Sequence, residues 1–220
     1  MEIRVGTQLD LVKKVVEKIS SVLMQNIPVA LFVSGGSSLI AEKEIINRLS
    51  KMRNADKLHV LPVDERFGEP GHKDANLAQL VKNNYENIHI HDILNNSSFE
   101  KTVTNFTKLF NEYSKAPFKT FAILGIGMDG HVGGNIPGSP AVISKEMVVG
   151  FQDQIFRRIT LTLSALTKIE TIFVSVFGAN KMNILQRLVD KPTENLPMDI
   201  LHKHKEVYVF TDNNLKQEKE

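Results

Sequence analysis

An α/β fold, a doubly wound and mostly parallel sheet with helices on both faces in a Rossmann-like three-layer sandwich, is predicted by three features of the sequence. Strand-like and helix-like segments alternate along the chain, the strand-like runs are apolar throughout, and glycine-rich polar segments follow those runs. Leu9, Val12, Val15, Val16, Ile19, Val22 and Leu23 recur at spacings of three and four, the period of an amphipathic helix, with Thr7 as its cap. Pro28 ends that segment, and Val29 to Ser34 reads as a strand buried on both faces. Gly35-Gly36-Ser37-Ser38 then turns the chain into a second helix, Leu39 to Leu49. Leu58 to Glu65 reads as a strand, although Pro62 is out of place there because proline prefers edges and bulges. A short helix over Asn76 to Asn83 and a longer one over Phe99 to Lys115 follow. Strands are expected over Phe121 to Gly127, Arg157 to Leu163 and Glu170 to Gly178, then a helix over Ala179 to Val189 and a last strand over Glu206 to Asp212. No repeat or linker divides the chain, so residues 1–214 are expected to form a single domain with a polar tail at 215–220.

Composition removes several functional classes. The 220 residues include no cysteine, which excludes a disulfide framework, a thiolate nucleophile, a thiolate zinc site and an iron–sulfur cluster. A net charge of +2 gives no electrostatic footprint for nucleic acid. No apolar run reaches the roughly 18–20 residues of a membrane-spanning helix. The opening segment MEIRVGTQLD has acidic and polar residues where a signal peptide has a basic and then an apolar stretch. A cytoplasmic protein with no nucleic-acid or membrane partner is the expectation.

Five loops hold the residue types that chemistry needs. Ser34-Gly35-Gly36-Ser37-Ser38 lies between a buried strand and a helix. Glycines there let backbone amides approach an anion, hydroxyls add donors, and the helix start adds partial positive charge, which suits a phosphate monoester. A tight turn with serine caps is the ordinary alternative. In Asp64-Glu65-Arg66, two carboxylates beside an arginine can orient an acid/base group and clamp a hydroxyl or phosphate; a solvated ion pair is the simpler reading. Gly125 to Gly130 has the G-x-G-x-x-G spacing, but HVGGNIPGSP follows, too rich in glycine and proline for the helix of a dinucleotide site. What remains distinctive is His131 two residues after Asp129, an imidazole with a carboxylate to orient it, which is what a general base requires. Arg158 and Lys181 each put a cation near a strand terminus, where it can complete a phosphate pocket or simply face solvent. His89 and His91 have the look of a metal pair, but no third ligand stands out, so no metal is expected.

Taken in order, these segments resemble the 6-phosphogluconolactonase family, within the superfamily shared with glucosamine-6-phosphate deaminase/isomerase. The family pattern SGGST-P, D-E-R, G-x-G-x-D-G-H-T-A-S-L-F-P-G, R-x-T-L-T and G-x-x-K has counterparts at Ser34 to Ser38, Asp64 to Arg66, Gly125 to His131, Arg158 to Thr162 and Gly178 to Lys181. Leu39 replaces the proline and Ser38 the threonine of the first motif. After His131 the chain reads Val132-Gly133-Gly134-Asn135-Ile136-Pro137, with an asparagine that is similar to the deaminase pattern D-G-H-I-A-F-N-E-P. The deaminase carboxylate is Ile136 here and its D-E-Y is D-E-R, and both differences favour the lactonase.

The resemblance implies hydrolysis of a sugar phosphate lactone, 6-phosphoglucono-1,5-lactone, in the oxidative pentose phosphate pathway, without a cofactor. His131 would be the base, with Asp129 orienting it and Asp64 and Arg66 beside it, Arg66 on either the phosphate or the oxyanion. Gly35, Gly36, Ser37, Ser38, Arg158 and Lys181 would hold the phosphate. Two alternatives are a deaminase/isomerase with Asp64 as base and a non-catalytic sugar-phosphate sensor, for which no helix-turn-helix segment is present. The Gly133-Gly134 pair is expected to loosen the loop that holds His131. A monomer is expected.

Overall fold

The computed structural model describes residues 1–81, 85–190 and 195–213. The end of the third predicted helix at Asn83 and the tail 215–220 lie outside the described residues. In chain order the elements are β1 (Glu2–Val5), α1 (Gln8–Met24), β2 (Val29–Val33), α2 (Leu39–Leu49), β3 (Leu58–Pro62), β4 (Asp64–Arg66), α3 (Asn76–Leu80) and β5 (His89–Ile90). They continue with α4 (Phe99–Tyr113), β6 (Lys119–Gly125), α5 (Pro140–Ile143), β7 (Val148–Gln152), β8 (Arg157–Leu161), α6 (Leu163–Leu166), β9 (Thr171–Ser175), α7 (Met182–Val189), α8 (Ile200–Lys203) and β10 (Val207–Thr211).

Seven strands form one sheet in the order β1-β10-β9-β6-β2-β3-β5, every neighbouring pair parallel. The central strands are largely apolar, β2 along its whole length, because both faces of the sheet are covered. On β2, Val29, Leu31 and Val33 pack with α1 and α2, while Ala30 and Phe32 pack with α4 and the helices that follow it. Phe32 meets Phe110 of α4 with ring centroids 5.6 Å apart. Thr7 starts α1 with a reciprocal cap: its hydroxyl accepts from the Asp10 N–H at 3.3 Å and its N–H donates to the Asp10 carboxylate at 2.8 Å. The buried stripe of α1 is Leu11, Val12, Val15, Ile19 and Leu23; Leu9 is exposed, because the helix starts one residue earlier than its first apolar residue suggests.

The predicted strand Leu58 to Glu65 is two strands in two sheets. Pro62 closes β3 past the last residue paired with β5, so its missing N–H removes no ladder bond on that side. Val63 then donates its N–H to the Val33 carbonyl at 2.8 Å, while its own carbonyl accepts from the Leu161 N–H at 2.9 Å. Past this point the chain joins a three-stranded antiparallel sheet, β4-β8-β7. The predicted strand at Arg157 to Leu163 is β8 of that smaller sheet, and Thr162 caps α6 rather than continuing it. The short strands β1, β5 and β7 were not predicted. Their register partners lie far along the chain or, for β7, rest on a hairpin whose strand contains Gly150.

No helix among the described residues is long and apolar enough to cross a membrane. Phe110 is almost fully buried against Phe32. Phe110→Ala is expected to lower the unfolding free energy by about 3–5 kcal/mol, the cost of a large cavity in a close-packed core, measured by urea denaturation.

Candidate active site

The strand order reverses between β2 and β6: the chain leaves β2 toward β3 and β5, then returns across the sheet to β6, β9 and β10. Loops leaving adjacent strands in opposite directions open a crevice at their carboxyl ends. A cleft of about 400 Å3 lies there. Gly35, Gly36, Ser37, Asp64, Arg66, His131, Arg158 and Lys181 all line it, so eight of the ten residues singled out from sequence come together. Ser34, Asn76, Gly125 to Met128 and Gly133 complete the wall.

Ser38 and Asp129 are not among the lining residues: Ser38 is buried behind the wall and Asp129 is exposed beside His131. The Ser38 side chain is fully buried, and its hydroxyl donates to the Glu42 carboxylate and the Gly35 carbonyl, both at 2.7 Å. It is therefore a brace of the loop, not a ligand in the cleft. Glu42 is also fully buried and accepts the N–H groups of Ser34 (3.0 Å) and Gly35 (3.0 Å). Burial pushes the Glu42 carboxyl up to about 7 against the pull of these donors. The Gly35 and Ser38 amides are thus committed within the loop, whereas those of Gly36 and Ser37 make no hydrogen bond among the described residues. Gly35 and Gly36 both have positive φ, 68° and 57°, which two consecutive glycines accept without strain.

Glu65 plays the corresponding part on the next strand. Fully buried, it accepts from the N–H groups of Arg66 (2.8 Å), Asn76 (2.6 Å) and Leu77 (3.0 Å), tying β4 to the start of α3. Burial pushes its carboxyl up to about 7 as well. Asn76 donates to the Asp64 carbonyl at 3.0 Å and accepts from Arg66 Nη1 at 2.9 Å, so Arg66 stands beside the Gly35 loop. Asp64 is buried, with Arg158 Nη1 3.6 Å from its Oδ2. Burial raises its carboxyl while Arg158, Arg66 and His131 pull it down.

The His131 loop is built around close approach. Its Nδ1 lies 2.6 Å from Asp129 Oδ1, and the Asp129 carboxylate also accepts the His131 N–H at 3.2 Å. Partial burial works against ionisation of Asp129, yet the His131 amide, charge and ring hold its carboxyl below the ordinary value. A Cβ at Gly127 would lie 2.1 Å from His131 Nδ1, so the ring occupies the volume of the absent side chain. Lys181 donates to the Ile126 carbonyl at 2.6 Å, on the same side as this loop; burial lowers its ammonium from the ordinary value.

Gly133 and Gly134 do not loosen this loop. A Cβ at Gly133 would lie 2.5 Å from Val63 Cγ1, and one at Gly134 would lie 2.6 Å from Thr160 Cβ. The Gly134 N–H donates to Thr160 Oγ1 at 3.2 Å, and the buried Asn135 donates to the Val132 and Leu161 carbonyls. The pair lets the loop pack flush on the junction of the two sheets. His89 and His91 lie at the far sheet edge, where His59 stacks on His89 and bonds His91 at 3.0 Å. No group of three His, Cys, Asp or Glu side chains among the described residues is placed to hold a metal ion.

Sequence comparison points to one family, and structural comparison to the same fold. A profile described as glucosamine-6-phosphate isomerases/6-phosphogluconolactonase matches residues 6–210. A 6-phosphogluconolactonase of Helicobacter pylori is 27% identical over 208 residues, spanning 89% of this chain and 88% of that protein. A glucosamine-6-phosphate deaminase of Staphylococcus epidermidis is 24% identical over 206 residues, spanning 82% and 83%. The crystal structure of a 6-phosphogluconolactonase from Shewanella baltica has the same fold, with a TM-score of 0.79 at 21% identity over 96% of each chain.

Gly134→Ala is expected to cost about 1–3 kcal/mol of stability through overpacking against Thr160, read by urea denaturation. The two buried glutamates predict a pH dependence. Their carboxyls titrate near 7 when folded and near 4.5 when unfolded, so the folded state retains protons that the unfolded state releases. Their contribution to stability is full below the unfolded value and is lost as pH rises to about 7. Glu42→Gln removes one titration, and the difference in unfolding free energy between about pH 5 and about pH 7.5 should be smaller in the variant than in the wild type.

Proposed function

Because the chain belongs to the family of glucosamine-6-phosphate isomerases and 6-phosphogluconolactonases, we infer that its cleft hydrolyses 6-phospho-D-glucono-1,5-lactone to 6-phospho-D-gluconate, a step of the oxidative pentose phosphate pathway. His131 carries this reading: an imidazole with Nδ1 tied to Asp129 at 2.6 Å, on the wall of a cleft that also presents Arg66, Arg158 and Lys181.

With the Nδ1 proton directed at the Asp129 carboxylate, Nε2 is left as the basic nitrogen. It takes a proton from water as the water oxygen bonds to C1 of the lactone. The carbonyl becomes an oxyanion. The oxyanion collapses, the bond from C1 to the ring oxygen breaks, and the imidazolium returns its proton to that oxygen. The product is a carboxylic acid that ionises in water. The free amides of Gly36 and Ser37, with Arg158, Lys181 and Arg66, meet the phosphate dianion. Arg66 falls on the phosphate side because Asn76 joins it to the Gly35 loop. A lactone is already an activated ester, so a positioned base suffices without metal, cofactor or covalent intermediate. A cytoplasmic monomer completes the proposal.

Ile136 separates this chemistry from amine release. It stands where the deaminase pattern has a carboxylate, and its aliphatic side chain lines the neighbouring cavity and accepts no proton.

The test couples fresh 6-phosphogluconolactone to 6-phosphogluconate dehydrogenase and subtracts spontaneous hydrolysis. The wild type should exceed background, and His131→Ala should lower kcat by about 10²–10⁴-fold, the usual contribution of a general base. Full activity in His131→Ala would remove the histidine from the mechanism. Ammonia release from glucosamine 6-phosphate would replace the lactonase reading with the deaminase one.

A further inference from the structure

The turn between β7 and β8 lies outside every motif read from the sequence, yet it touches both arginines of the cleft. Asp153 donates its N–H to the Phe156 carbonyl at 2.8 Å, and its Oδ1 accepts the N–H groups of Ile155 and Phe156, each at 2.6 Å. One carboxylate oxygen is therefore enough to fold the turn. The other, Oδ2, takes the Nε proton of Arg158 in a short charge-assisted hydrogen bond. Both side chains are mostly buried, with 17% of Arg158 and 16% of Asp153 exposed. The turn itself would be served equally by an amide oxygen; only the arginine requires the second anionic oxygen.

Arg158 also faces a competing carboxylate. Its Nη1 stands 3.6 Å from Asp64 Oδ2, near but beyond hydrogen-bond contact. Without Asp153 the guanidinium would be drawn to Asp64 and its charge cancelled within the cleft. Arg66 and Arg158 are paired in register across β4 and β8, so two positive groups are held side by side. The Phe156 ring lies 5.4 Å from the Arg66 guanidinium carbon and 5.7 Å from that of Arg158. The negative face of one ring thus attracts both cations while filling the space around them.

We propose that Asp153 and Phe156 are positioning residues that preset Arg158 and Arg66 for the phosphate of the substrate. Neither touches substrate. Asp153 fixes the Arg158 head group by its Nε edge, leaving the Nη edge for an anion, and Phe156 holds the two guanidinium groups together against their mutual repulsion. Substrate phosphate then meets charge that is already in place, and binding is not taxed by reorganisation. The role of Arg158 in this scheme rests on the lactonase reading given above.

Asp153→Asn tests it cleanly, because the amide keeps an oxygen for the turn and sets an NH2 group against Arg158 Nε. Steady-state kinetics on 6-phosphogluconolactone should show KM raised about tenfold or more with kcat within about threefold, as expected for loss of a charge-assisted hydrogen bond that acts in binding. Competitive inhibition by inorganic phosphate should weaken by a similar factor. Phe156→Leu should raise KM about threefold. In an Arg158→Met background, Asp153→Asn should add less than about a twofold change, since its only route to the substrate is gone. An unchanged KM in Asp153→Asn, or an undiminished increase in the Arg158→Met background, would overturn the proposal. A wild type with no turnover above the spontaneous rate would instead remove the lactonase reading. The same variants, titrated calorimetrically with inorganic phosphate, then decide the positioning role by the same criteria.

Discussion

Val63 is the point on which the cleft depends. Its N–H belongs to the parallel sheet through Val33 and its carbonyl to the antiparallel sheet through Leu161, so one residue ties the two sheets together. Immediately beyond it, Asp64, Glu65 and Arg66 are carried off the parallel sheet and over the carboxyl ends of its strands. Strand β8 follows by pairing, which delivers Arg158 to the same wall. Gly133 packs on the Val63 side chain itself, so the loop that holds the histidine is seated on the same residue. A junction satisfied on both sides leaves the chain no freedom to change register, and the charges downstream inherit that rigidity.

A site for an anion needs positive charge and free donors, and a folded protein tends to cancel both. Here the cancellation is diverted. Glu42 and Glu65 are buried away from the cleft and take up the backbone amides that shape its loops. Asp153 takes the edge of Arg158 rather than its tip. The result is a wall that Glu42, Glu65 and Asp153 organise from behind, while cations and amides face the opening with Asp64 and His131 among them. Carboxylates placed inward cost desolvation, which is why burial moves both glutamates toward neutrality.

Much of this was legible in the sequence, and the parts that were not share a physical cause. Strands β2, β6 and β9 are continuous apolar runs between turn residues, a pattern set by burial on both faces and visible in any short window. The histidine with its aspartate two residues earlier is likewise local. The break at Val63 was not visible, because Leu58 to Glu65 has one unbroken strand-like composition and only the pairing of Glu65 with Ile159 reveals the change of sheet. The glycines at 133 and 134 read as slack in isolation and are tight only because Val63 and Thr160 press on them from elsewhere in the chain. Ser38 reads as a ligand from sequence because a hydroxyl in a glycine loop gives no sign of its direction. The signal was nonetheless present: Glu42, one helical turn later, is a carboxylate on an otherwise apolar stripe of α2. Asp153 and Phe156 lie in an unremarkable stretch of the chain, and their connection to the site exists only through the hairpin.

The parallel sheet is finished out of chain order. Strands β2, β3 and β6, with the helices between them, are complete by residue 125, just before the loop that carries His131. Strand β1, near the start of the chain, pairs with β10, which begins at Val207. During synthesis on a ribosome β1 must therefore wait for β10, and its edge stays unpaired while everything between them is made. Its four residues include Glu2 and Arg4, charges that discourage a waiting strand from pairing with another chain. The longest loop closure in the molecule is left to the end of folding, when the entropy it costs is offset by a sheet that already exists.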